Sequence, residues 1–126
     1  MTKQGLATGK LGEDLACDFL KAHGYKILHR NFRTRLGEID IVAKDKDVLC
    51  FIEVKTRTSG DLGLPVESLT YFKQRQIARA TLVYLQTKKG LKDKARFDVV
   101  SVQLWHNPPK IDIITNAFEL GSNYSY

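Results

Sequence analysis

Residues 37–56 read GEIDIVAKDKDVLCFIEVKT, two apolar, β-branched-rich runs flanking a charged turn. That is a hairpin signature, and its ionisable residues restrict how the hairpin can be buried. Side chains alternate faces along a strand. Regular strands therefore place Glu38, Asp40 and Val42 on one face of the first run, and Ile39, Ile41 and Ala43 on the other. In the second run Phe51, Glu53, Lys55 and Arg57 share a face, with Ile52 and Val54 opposite. A loop of about two or four residues sets Asp40 across from residue 51 or 53. Either register gathers Asp40, Glu53 and Lys55 on one half-buried face.

Two carboxylates ~5 Å apart repel by roughly 3 kcal/mol at an effective dielectric of ~20. Lys55 offsets part of this, and a divalent cation would offset more. Magnesium favours one or two carboxylates completed by water and phosphate oxygens, which suits two acids beside an open cleft. A lysine two residues beyond the second acid lies on the same face, where it can contact a phosphate or orient an attacking water. A surface hairpin with cross-strand ion pairs is the plain alternative. Against it, Glu53 ends the apolar run Val48–Ile52, and a second acid sits at the matched place one strand earlier.

An acid on one strand followed by E-x-K on the next resembles the PD-(D/E)-x-K nuclease superfamily. The whole chain is similar to one branch of it, the YraN-type bacterial uncharacterised family. The segments that carry the likeness are Gly12-Glu13 with Ala16, Gly37-Glu38-Ile39-Asp40, Phe51-Ile52-Glu53-Val54-Lys55, Arg96-Phe97-Asp98-Val99 and Asn116-Ala117-Phe118. Ile39 stands where the superfamily's motif name places proline. The resemblance implies a restriction-endonuclease-like α-β-β-β-α-β core, a divalent metal and kinship with Holliday-junction resolvases.

The length suits one domain: a flexible segment over 1–8, the domain over 9–118 and a tail over 119–126. No stretch approaches the ~20 apolar residues of a membrane span, and no secretory segment opens the chain, so a cytoplasmic protein is expected. Cys17 and Cys50 sit apart in apolar settings and read as buried free thiols. His23, His29 and His106 form no zinc-ligand spacing. The net charge of +6 is unevenly spread. Residues 1–36 carry +4, 37–56 carry −2, 57–95 carry +5 and 96–126 carry −1. An acidic centre bracketed by basic segments suits a phosphate-backbone binder.

A helix is expected from Thr8 or Gly9 to Ala22, capped by Gly24. Its apolar stripe is Leu11, Leu15, Phe19 and Ala22, with Ala16 and Leu20 beside it. Glu13 lies on the shoulder of that arc. It reads either as a carboxylate favoured by the helix dipole or, following the superfamily, as a group reaching the metal site. A strand follows over Tyr25–Arg33. Arg30, Arg33 and Arg35 crowd the approach to the hairpin and are read as phosphate contacts, as is Arg57 after it. A turn-rich loop follows Arg57. A second helix is expected over Ser68–Thr87, apolar on two sides. One stripe holds Leu69, Phe72, Ile77, Ala80, Val83 and Tyr84, and another Ala78, Leu82 and Leu85. Lys73 and Gln76 interrupt the first stripe. Either Lys73 snorkels out of the core, or both lie over the sheet end that carries Glu53 and Lys55 and reach phosphate or an attacking water. Arg75 and Arg79 lie on the flank. Strands over Arg96–Trp105 and Lys110–Thr115 complete the chain, with Asp98 paired to a base such as Arg96.

The expected fold is α/β, a mixed sheet of about five strands flanked by helices. The expected activity is metal-dependent phosphodiester hydrolysis. The residues themselves leave DNA or RNA and branched or linear substrate open, and the resemblance to resolvases implies DNA in branched or structured form. Asp40, Glu53 and the Val54 carbonyl would hold Mg²⁺ or Mn²⁺, with Glu38 or Glu13 completing the shell. Lys55, and with it Lys73, would steady the reacting phosphate. A homodimer is compatible with the two-sided second helix. The alternative is a catalytically silent binding module that keeps the fold.

Overall fold

The computed structural model describes residues 3–60, 69–87 and 94–119. Two helices, α1 (Lys3–Ala22) and α2 (Tyr71–Thr87), cover a sheet of β1 (Lys26–Thr34), β2 (Gly37–Asp45), β3 (Val48–Arg57), β4 (Lys94–Gln103) and β5 (Lys110–Phe118). The strands lie in sequence order, and only β3 and β4 run parallel. This is the expected α/β architecture, consistent with a restriction-endonuclease-like core, with β5 added at the edge.

The sheet separates two apolar layers. On one face Ala16, Cys17 and Leu20 of α1 pack on Ile41, Ala43, Cys50, Ile52, Val100 and Val102. On the other, Leu69 and the α2 residues Ile77, Ala80, Tyr84 and Leu85 pack on Ile39, Val42, Leu49, Phe51, Phe97 and Val99. Central β3 contributes to both layers, which explains its almost continuous apolar run. Both cysteines are buried free thiols, and burial pushes Cys50 up to about 12.

Several expected boundaries and faces are corrected. α1 begins at Lys3 rather than Thr8 or Gly9, so the expected flexible lead-in is helical from that residue on. Its buried edge is Gly12, Ala16 and Leu20, while Leu11 remains 49% exposed. The cause is close approach, because a Cβ at Gly12 would overlap the Thr56 side chain. Gly24, at φ 88°, ends the helix as expected. α2 starts at Tyr71, where the Thr70 hydroxyl accepts the Lys73 N–H at 3.2 Å as an N-cap. This start leaves Phe72 exposed rather than in the core stripe. β4 begins at Lys94 rather than Arg96, and β5 runs on to Phe118. Ser68 and most of the loop after Arg57 lie outside the described residues.

α2 crosses the start of β2 just as closely. A Cβ on Gly37 would lie 2.5 Å from the Gln76 carbonyl oxygen and 2.9 Å from its carbon. Unlike the Thr56 side chain facing Gly12, a helical backbone cannot rotate aside. Gly37→Ala is expected to destabilise the protein by about 1–3 kcal/mol through this overlap. A lower urea midpoint at unchanged slope would show it.

Candidate functional site

The two-residue hairpin turn, with Lys46 at φ 57°, pairs Asp45 with Val48. That register reaches Ile41–Ile52 and stops. Extended one step further, it sets Asp40 opposite Glu53, one of the two expected arrangements. Beyond the stop, the Val54 N–H donates to Asp40 Oδ2 at 2.8 Å. A side chain thus takes the place of the next ladder acceptor. In an extended strand a residue's N–H and C=O point the same way, so the Val54 carbonyl opens towards Asp40 as well.

The strict alternation expected of β1 and β2 fails at this point. Arg30 turns to α1, where Glu13 and Asp14 hold it, whereas Phe32 turns to α2 and meets the Tyr84 ring edge-on at 5.1 Å. Between them Asn31 has φ 54°. Across the pairing, Ile41 belongs to the α1-side layer and Ile39 to the α2-side layer, with Asp40 between them. Ile39 and Ile41 therefore do not share a face, which corrects the regular pattern expected of this strand. The reversal brings Asp40 to the rim of the sheet between the two helices.

Glu53 is buried, and both Lys55 Nζ at 3.4 Å and Lys73 Nζ at 3.2 Å approach its Oε1. Lys73 therefore joins the site from α2, as expected. The Asp40 carboxyl is raised to about 7, first by burial and then by the charge of Glu53, against the lowering effect of the Val54 N–H. The folded protein thus holds a proton that the unfolded chain releases near its ordinary 3.8. Asp40's contribution to stability is full below that value and is lost as pH rises through about 7. In a chelator, the stability of the wild type relative to Asp40→Asn is expected to fall between about pH 4 and pH 7 and to level off above. Thermal melts across that range would read it.

The site opens on a cleft of about 800 Å³ between α1 and the rim of β1–β3, lined in part by Glu13, Asp14, Arg30, Asn31, Asp40 and Lys55. Glu13 accepts from Arg30 Nε at 3.0 Å and from Asn31 Nδ2 at 2.9 Å. Arg30 also reaches Asp14 at 2.6 Å, and this hydrogen bond is the main cause of its raised pKa. Glu38 and Arg33 pair at 3.4 Å on the exposed rim of the same cleft. Arg35 and Arg79 are exposed, and half-exposed Arg75 lies 5.7 Å over the Tyr71 ring. Gln76 is half-buried where α2 crosses Gly37. Arg57 is corrected: it is only 8% exposed, so its side chain is not offered to a phosphate on the surface. β3 extends through it, and its carbonyl accepts the Leu104 N–H.

Asp14 and Asn31 escaped the sequence reading. Asp14 falls on the solvent side of the helical wheel, and its role depends on where β1 delivers Arg30. Asn31 carried a signal: asparagine is depleted in strands and enriched at positive φ.

The donor set suits a hard cation. It consists of two carboxylates whose mutual repulsion lifts Asp40, beside a carbonyl opening to the same side. Among the described residues no third Asp, Glu, His or Cys completes a ligand group. Two carboxylates completed by water and phosphate oxygens is the arrangement that magnesium prefers. Among the same residues no helix is long and apolar enough to cross a membrane.

A model of the uncharacterised protein family UPF0102 matches residues 12–102, a span that holds Glu13, Asp40, Glu53, Lys55 and Lys73. A UPF0102 protein of Geobacter metallireducens is 51% identical over 120 residues, covering 95% of this chain and 98% of the relative. One from Syntrophus aciditrophicus is 49% identical over 93% of this chain and 92% of its own. One from Clostridium kluyveri is 44% identical over 89% and 93%.

Proposed function

The chain belongs to the uncharacterised protein family UPF0102, and from its site we propose that it is a metal-dependent nuclease that hydrolyses nucleic-acid phosphodiesters. The observation that carries this reading is the Asp40–Glu53 pair at the sheet rim, with Lys55 and Lys73 drawn onto the buried acid. Asp40, Glu53 and the Val54 carbonyl would hold Mg²⁺ or Mn²⁺. When bound, such an ion lowers the pKa of a coordinated water and stabilises charge developing on the phosphate. Lys55 lines the cleft and is held by Glu53, so its ammonium is set to orient the attacking water or a non-bridging phosphate oxygen. Lys73 secures Glu53 from the other side of the sheet and adds a second positive charge. Glu13, fixed by Arg30 and Asn31, stands across the cleft where it can accept a proton or a hydrogen bond from a bound water. Arg33, Arg35, Arg75 and Arg79 supply charge for the sugar-phosphate backbone.

The likeness to resolvases suggests DNA, in branched or structured form, as the substrate to try first. The test is cleavage of labelled duplex, single strand, flap, four-way junction and structured RNA in Mg²⁺, Mn²⁺ or EDTA. Metal-dependent cutting supports the nuclease and names its substrate. Binding of these probes without cutting in either metal would replace it with a binding module.

A further inference from the structure

The first turn of α2 exposes two adjacent aromatic rings, Tyr71 at 61% and Phe72 at 69%. The geometry points to a stacking platform: Tyr71 and Phe72 receive unpaired bases of a nucleic-acid strand whose backbone enters the neighbouring acid–lysine site. This assignment rests on the nuclease reading for the polymer itself and adds which form of it is held.

The rings are carried by a fixed piece of backbone. Leu69 is buried in the α2-side layer, and Thr70 caps the helix through the Lys73 and Gln74 N–H groups. Gln74 Nε2 also donates to the Leu69 carbonyl at 2.9 Å. Pre-ordered aromatics lose little freedom when they take up a ligand. Lys73, next in sequence to Phe72, already touches Glu53. A base resting on the platform would therefore place its own or a neighbouring phosphate near the acid pair.

Charge identifies the occupant. Residues 71–79, YFKQRQIAR, contain three cations and no acid. A two-fold contact with a second copy would press like charges together, whereas a polyanion is attracted. The Arg75 guanidinium over the Tyr71 ring adds a planar cation beside the stacking surface. Aromatic rings interleaved with basic residues are the usual equipment for single-stranded nucleic acid. An apolar protein partner would use the rings but offer nothing to Arg75 and Arg79, the two cations beside them that Glu53 does not hold.

The test measures affinity for a blunt duplex and for the same duplex carrying a single-stranded arm labelled with 2-aminopurine. Ca²⁺ replaces Mg²⁺ to limit cleavage. The wild type is expected to favour the armed duplex and to change the 2-aminopurine emission. In Tyr71→Leu/Phe72→Leu, which keeps apolar bulk but removes both rings, the ratio of armed to duplex affinity is expected to fall at least roughly ten-fold. Tyr71→Phe is expected to retain it. Equal binding of both probes by the wild type, or equal weakening of both by the leucine variant, overturns the platform and leaves the nuclease reading standing. Failure to bind either probe, together with no cleavage, removes that reading and this inference with it. A wild-type dimer that the leucine variant dissociates, with the affinity ratio unchanged, assigns the rings to self-association instead.

Discussion

Glu53→Gln is expected to lower metal-dependent cleavage by roughly 10²–10³-fold while leaving the protein folded. The substitution preserves shape and removes one negative charge from the acid pair. A ligand charge matters most where water is scarce, and charge stabilisation by such a site amounts to several kcal/mol. The amide also gives Lys55 and Lys73 a weaker anchor, although both now converge on one Glu53 oxygen. Stability follows a different course. Glutamine relieves Asp40 of the neighbouring charge that helps to raise it, so its carboxyl ionises at lower pH. The two lysines are 24% and 37% exposed in their side chains and can turn to solvent. Turnover on a gel and a melting curve from the same preparation separate the two effects. A variant that cuts like wild type would remove Asp40–Glu53 from the chemistry.

Asp98→Ala is expected to produce the opposite outcome, a large loss of stability with chemistry intact in the molecules that fold. Asp98 is 1% exposed and takes three hydrogen bonds of 2.8–3.1 Å from Arg96, and one of 2.8 Å from the Asn116 N–H. The β4–β5 pairing shifts between Phe97 and Val99, and Asn116 opposite lies at φ 52°. As at Asp40, a carboxylate fills the place of a missing ladder acceptor. Here a guanidinium neutralises it and also reaches Tyr25 and Asp45. Alanine leaves a partly buried cation and a backbone donor without their main partner, which costs about 3–5 kcal/mol. Set against a total stability of about 5–15 kcal/mol, this is a severe loss. Urea unfolding would measure it, and Asp98→Asn, which restores an acceptor without the charge, should lose less.

These two aspartates show how far the sequence could be read. Both lie on strands at irregular positions and accept a neighbour's N–H, yet one meets another acid and the other an arginine. The apolar runs and the charged turn were sufficient for the hairpin and for the convergence of Asp40, Glu53 and Lys55, whereas the choice between a two- and a four-residue loop came only with the structure. Lys73 was legible because a lysine interrupts an apolar helical stripe. The reversal at Asn31 was not, because period-two reasoning assumes regular backbone and a single residue at positive φ defeats it. Leu11 and Phe72 were misplaced for a related reason. A helical wheel gives angles within one helix, while Gly12 and Thr70 decide how each helix is set on the sheet. Arg57 was assigned from its charge, although β3 had not yet ended at that residue.

The separation along the chain of the pieces around Asp40 bears on the order in which the molecule assembles. Asp40 and the Val54 amide are only 14 residues apart and close with one hairpin, an event of roughly microseconds. The parallel partner of β3 follows α2 in the chain, and α1 packs on β2, β3 and β4 together, so the covering layers close over longer separations. The short-range register of the acid pair is therefore expected to form before the covering layers close. Until those layers close, the burial that raises the Asp40 carboxyl is not yet in force. Uptake of a proton by Asp40 during refolding at neutral pH therefore marks closure of the helical layers, and the stopped-flow trace of a pH dye would time the last step of folding rather than the first.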